Sequence, residues 1–119
     1  MRILSRNLIV ACLLLWPLLL VANEIQVVTA SAVRTADTWR IDVTLRHADR
    51  GWEHYANKWE VLNLDGEVLG TRVLYHPHVD EQPFTRSLTN VAIPDGTKEV
   101  LIRAYDLKHG KGKEYRLSL

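Results

Sequence analysis

The chain has one cysteine, Cys12, and one methionine, Met1. Cys12 lies inside an apolar N-terminal run. A chain that has shed this run has no thiol and no disulfide, and must hold together by its core alone. Without a second methionine, a thioether-based copper(I) site is excluded. Neither sign of charge is in excess. Lys+Arg number 15 and Asp+Glu 14; without Arg2 and Arg6 the count is 13 against 14, a formal charge of −1. That balance gives no electrostatic basis for binding nucleic acid. The local basic group Lys108, Lys111, Lys113 and Arg116 reads as a solvated hairpin. The apolar run is shorter than the ~20 residues of a spanning helix. From residue 24 onward there is no sustained 3.6-residue periodicity, which argues against a helical domain. His-Glu-x-x-His and Gly-x-Ser-x-Gly are both missing. Ser87 falls on a strand, and Ser31 and Ser118 fall near the ends. No enzyme is expected.

The start of the chain carries an export pattern. Arg2 and Arg6 precede the uncharged run Leu8 to Ala22, a basic n-region followed by a short h-region interrupted by Pro17. Cleavage after Ala22 is expected, although Leu20 is large for the position three back. Ala30-Ser31-Ala32 fits the small-residue rule better, but a cut there would delete a candidate first strand. Ile9-Val10-Ala11-Cys12 looks like a lipoprotein processing box. It is set aside because the apolar run continues through Leu13-Leu14-Leu15-Trp16. The expected organisation is a signal peptide over 1–22 and a single domain over 23–119. The expected location is the periplasm, or the medium if secreted, with membrane contact only through an uncleaved signal segment.

The rest alternates like strands. Trp39, Ile41, Val43 and Leu45 are interleaved with Arg40, Asp42, Thr44 and Arg46, one face for a core and one for water. Ile25–Arg34 precedes this run. After it come Lys58–Leu64, Glu67–Tyr75, Phe84–Ile93, Glu99–Tyr105 and Glu114–Leu119. Asp65-Gly66 marks a tight hairpin, since both residues tolerate positive φ. Seven short strands with turns between them predict an all-β, immunoglobulin-like (fibronectin-III-like) β-sandwich, with Trp59 at its centre. Ile93-Pro94-Asp95-Gly96-Thr97 through Arg103-Ala104 resembles the fibronectin-III approach to its sixth strand. The corner tyrosine of that pattern is missing where Glu99 or Val100 falls.

Gly51-Trp52-Glu53-His54-Tyr55-Ala56-Asn57-Lys58-Trp59, the stretch Leu74 to Leu88 around His76-Pro77-His78, and His109-Gly110 together resemble a family of small exported bacterial proteins of unknown function. The resemblance implies an exported, compact domain and no particular activity.

In an up-and-down sandwich the loops after the second, fourth and sixth strands share one pole. That pole receives His47, His54, His76, His78 and His109, with Asp49, Glu53, Asp80, Glu81 and Asp106. Long loops at one end and tight turns at the other are how a sandwich presents a site. Imidazole and carboxylate donors suit zinc or copper. His76, His78 and His109 are the expected metal ligands, with His54 or Asp80 completing the shell; His47, continuing an inward strand face, is expected to be structural. Trp52, Tyr55 and Tyr75 could instead offer flat faces to a small ligand or a protein, such as a sugar or a peptide, with Arg50 and the acidic residues, Asp80 and Glu81 among them, at the rim. The expected role is that of a binding or accessory module, or alternatively a periplasmic transition-metal binder.

Overall fold

Strand β2 (Thr38–Arg46) sets the frame of the domain. Ile41, Val43 and Leu45 are fully buried, while Arg40 and Arg46 are exposed, as the period-two pattern predicts. The computed structural model describes residues 24–119, so the expected signal segment lies outside the described residues.

β1 (Gln26–Thr35) runs antiparallel to β2, with Gln26 opposite Arg46 and Thr35 opposite Thr38, and a register shift between Val27 and Thr29. β5 (Phe84–Val91) flanks the other side of β2, with Leu45 opposite Phe84. These three form one sheet in the order β1-β2-β5. In the second sheet, β3 (Ala56–Leu62) lies between β4 (Val68–Val73) and β6 (Glu99–Asp106). The two-residue β7 (Gly110–Lys111) and then β8 (Tyr115–Ser118) pair with the outer side of β6.

One apolar core joins the sheets. The first contributes Ile41, Val43, Leu45, Phe84 and Val91; the second contributes Trp59, Val61, Val100, Ile102, Ala104 and Leu117. Burying each of the larger side chains contributes on the order of 1.5–3 kcal/mol. Trp59 is fully buried, at the central position expected of it. The architecture is all-β and sandwich-like, with eight strands among the described residues. The extra strand is β7, formed where the glycine-rich turn after β6 folds back to pair Lys111 with Tyr105. The fourth strand stops at Val73 rather than Tyr75, and the fifth at Val91 rather than Ile93.

The turns at one end are tight. Gly66 (φ 89°) closes β3 to β4, and Asn63 accepts hydrogen bonds through Oδ1 from the N–H groups of Asp65 (3.0 Å) and Glu67 (2.8 Å). This is the hairpin expected at Asp65-Gly66. Ala36 (φ 56°) and Gly96 (φ 87°) turn the chain at the same end. The opposite end carries the long connections between β2 and β3 and between β4 and β5, and the turn between β6 and β7.

Candidate metal centre at the histidine pole

The inward alternation of β2 does not stop with the strand. After Leu45, His47 and Asp49 are buried while Arg46, Ala48 and Arg50 are exposed. The inward face of β6 behaves likewise: Val100, Ile102 and Ala104 are followed by Asp106, which is 3% exposed. Two strands from different sheets thus end their core faces in polar residues at the same pole. His54 closes the gap between them. It is held by a bridge to Gly51, with Arg50 N–H donating to His54 O at 2.9 Å and His54 N–H donating to Gly51 O at 3.2 Å.

The resulting contacts link the histidines. The ring centroids of His47 and His54 are 4.8 Å apart, and those of His54 and His109 are 5.0 Å apart. The His76 and His78 rings are 4.7 Å apart. Asp49 ties the two groups together. Its Oδ1 lies 2.6 Å from His47 Nδ1 and accepts from the Ala56 N–H at 3.0 Å, and its Oδ2 accepts from the His78 N–H at 2.7 Å. Gln82 adds a second tie: its Oε1 accepts from the His47 N–H and its Nε2 donates to the His78 carbonyl. All five histidines therefore stand at one end of the sandwich, as the strand order predicts.

Within that end, one donor group stands out. His47, His54 and Asp106 each offer an atom, and these atoms lie within 4.8 Å of one another. His47 Nε2 is 3.3 Å from Asp106 Oδ2, and His54 Nε2 is 3.8 Å from Asp106 Oδ1. Six buried side-chain polar atoms lack a hydrogen-bond partner among the described residues, and three of them are His47 Nε2, His54 Nε2 and Asp106 Oδ2. Asp106 Oδ1 is engaged elsewhere, accepting the N–H groups of Lys108 and His109.

The donor set fits a small divalent cation. A tetrahedral shell with bonds of about 2.1 Å separates its donors by about 3.4 Å, and places two imidazole centroids about 5 Å apart. His47 Nε2 and Asp106 Oδ2 stand at the first spacing and the His47 and His54 rings near the second, while the donor set as a whole spreads to 4.8 Å, so its atoms must draw together to close on an ion. In the tautomer that donates Nδ1–H to Asp49, His47 presents a bare Nε2, the carboxylate–histidine arrangement that fixes a ligand's tautomer and orientation. Burial, helped by neighbouring His47, pushes the His54 imidazole below its usual range, which favours the neutral, donor form. For Asp49 burial is the largest influence and pushes upward, but the hydrogen bonds from His47, His78 and Ala56 outweigh it and hold the carboxyl below its usual value.

A protein from Halomicrobium mukohataei named "Putative lipoprotein" is 43% identical over 91 residues, covering 76% of this chain and 43% of its own length. The chain therefore spans less than half the length of that relative. No protein-family model matches the chain, and no solved structure matches it either.

The other sequence-predicted residues are placed as follows. His78 is buried, stacked on Phe84 with centroids 3.9 Å apart, and its Nε2 accepts from Arg86 at 2.9 Å. Burial, then the charges of Arg86 and His76, pushes its imidazole below the usual range. His76 is exposed, with Nδ1 3.2 Å from Pro77 O. Asp80 is exposed, and Glu81 pairs with Arg86 at 3.2 Å. Trp52 is 64% exposed and meets Tyr55 edge-on at 5.6 Å; Tyr75 is 74% exposed. Neither Trp52 nor Tyr75 folds back over the core. His47 faces inward as expected. That same orientation, together with Asp106, supplies donors that the sequence reading did not include in the ligand set. The period-two count already turns His47 inward; the same count carried one step beyond Ala104 turns Asp106 inward too, opposite it.

Proposed function

We propose that this chain forms an exported, immunoglobulin-like β-sandwich that binds a divalent transition-metal ion, zinc or copper, through His47, His54 and Asp106. The observation that carries the reading is the convergence of three buried donor atoms without hydrogen-bond partners, from the ends of β2 and β6 and from the loop between β2 and β3. Leaving a buried polar group unpaired costs roughly 1–3 kcal/mol, and a cation among the three relieves the deficit at each. The partition into a three-stranded β1-β2-β5 layer and a five-stranded layer, β4-β3-β6 with β7 and β8 both paired to β6, around Trp59 supports the immunoglobulin-like assignment. The role is binding rather than catalysis, in an accessory module.

The competing occupant of the same space is a proton. A doubly protonated His47 would face Asp49 on one side and Asp106 on the other, 2.6 and 3.3 Å away. That arrangement leaves His54 Nε2 without a partner, which favours the metal.

The name of the relative supports an envelope location. Two routes lead there: cleavage after Ala22 to give a free periplasmic domain, or lipid attachment at Cys12. The mass of the mature N-terminus separates them. Metal analysis of the purified protein, followed by zinc and copper titration of the wild type and His54→Ala, tests the binding. Stoichiometric binding that His54→Ala abolishes supports the reading; no binding by the wild type ends it.

A further inference from the structure

Three protein donors leave a tetrahedral ion one position short, and the turn after β6 carries a further imidazole, His109, against His54. The ligand carboxylate itself holds that turn. Asp106 turns Oδ2 toward His47 and uses Oδ1 to grip the N–H groups of Lys108 and His109. The His109 ring meets His54 edge-on, 5.0 Å between centroids and 74° between planes. This edge-to-face contact sets the His109 ring directly beside a proposed ligand. The difference between His109 and the other donors is exposure. His47, His54 and Asp106 are 3%, 7% and 3% exposed, whereas His109 is on the surface, and its nitrogens stand outside the three-donor group.

We propose that His109 is the fourth ligand and an exchangeable one, so that the pole loads and hands on a metal ion instead of sealing it in. This rests on the metal reading above. An exposed side chain changes rotamer on the ps–ns scale. Swung in, His109 completes a four-donor shell. Swung out, it opens the one position facing solvent to water or to a donor from an acceptor molecule, while the three buried donors keep the ion. Asp106 couples the two halves: the residue that binds the ion also anchors the backbone of the gate.

The test uses the mature domain with cobalt(II) as a spectroscopic probe and zinc for affinity. Four variants are compared with the wild type: His109→Ala, His54→Ala, His76→Ala and the conservative His109→Cys. The wild type is expected to give the intense visible bands of tetrahedral cobalt. His109→Ala should bind zinc at least about tenfold more weakly, a change of the size seen when a metal site loses a supporting group. It should also show a changed cobalt spectrum and release zinc faster to a chromogenic chelator. His109→Cys should restore a tetrahedral spectrum with sulfur-to-metal charge transfer. His76→Ala should match the wild type. If His54→Ala abolishes binding while His109→Ala keeps wild-type affinity, spectrum and release rate, the exchangeable fourth ligand is wrong and the three-donor site stands. If His54→Ala binds as the wild type does, or the wild type binds nothing, both readings fall. Weakening by His76→Ala alone moves the site to the other histidine pair and overturns the proposal.

Discussion

Asp49 Oδ1 sits 2.6 Å from His47 Nδ1, and neither side chain is more than 1% exposed. One carboxylate thereby fixes the imidazole and, through its second oxygen and the Ala56 N–H, stitches the β2–β3 loop to the β4–β5 loop.

Asp49→Asn is expected to weaken zinc binding by about 10–100-fold, because the second-sphere acceptor that orients a histidine ligand is lost. Asp49→Ala should in addition destabilise the metal-free domain by about 3 kcal/mol, since three buried donors lose their acceptor at once. Calorimetric titration reads the first effect and urea denaturation the second.

Metal should stabilise the fold measurably. Zinc at 100 times its Kd adds about 2.7 kcal/mol if it binds only the native state. In a domain of this size that raises Tm by more than about 10 °C. A chelator should reverse the shift, and His54→Ala should show none. A thermal scan of the three samples decides it.

The metal-free domain should lose stability in mild acid. His78 is held below its ordinary value of 6.5, chiefly by burial and then by Arg86. The unfolded chain therefore takes up a proton that the native one refuses. The stability is fully present above about pH 6.5 and falls as the pH drops through the lowered native value. Urea midpoints measured with chelator from pH 8 to pH 5 should decline below 6.5, and His78→Gln should make the decline shallower, the remainder coming from His54, which burial also holds below its usual range.

Gly112→Ala should destabilise the domain by about 1–3 kcal/mol through overpacking. A Cβ at Gly112 would stand 2.7 Å from the Ile25 carbonyl oxygen, which is main chain and cannot swing aside. Gly66→Ala meets no neighbour but must hold φ near +89°, so its smaller loss would come from backbone strain alone. Chemical denaturation of the two variants compares a steric cost with a conformational one.

Trp52→Ala should change stability by no more than about 0.5 kcal/mol, because the indole is mostly in water. The same variant tests the aromatic face. Unchanged metal affinity together with lost retention of a carbohydrate or protein partner would assign Trp52 to recognition.

The sheets were legible because their residues alternate cleanly. Ile41, Val43 and Leu45 announce an inward face, and Val100, Ile102 and Ala104 announce another. The pole was legible too, since strand order alone brings the loops bearing His47, His54, His76, His78 and His109 to one end. The donor set was not. Which imidazole nitrogens lie free and close together depends on contacts made across the fold: Arg86 engages Nε2 of His78, whose unpaired Nδ1 joins no three-donor group among the described residues, and Asp49 engages the far side of His47. His-Pro-His is conspicuous as a string, yet stacking on Phe84 occupies one of its rings. Asp106 reads as an ordinary strand-end acid until its Oδ2 is seen to face His47.

Gln26 lies opposite Arg46, so the first strand starts where the second one finishes, one residue from His47. Whatever precedes Glu24 must enter the domain on the histidine side. A tether at that end would turn the five imidazoles toward its own point of attachment and leave the Asp65-Gly66 and Asp95-Gly96 tips facing outward. For a tethered chain, orientation on its surface would follow from the direction of this single edge strand.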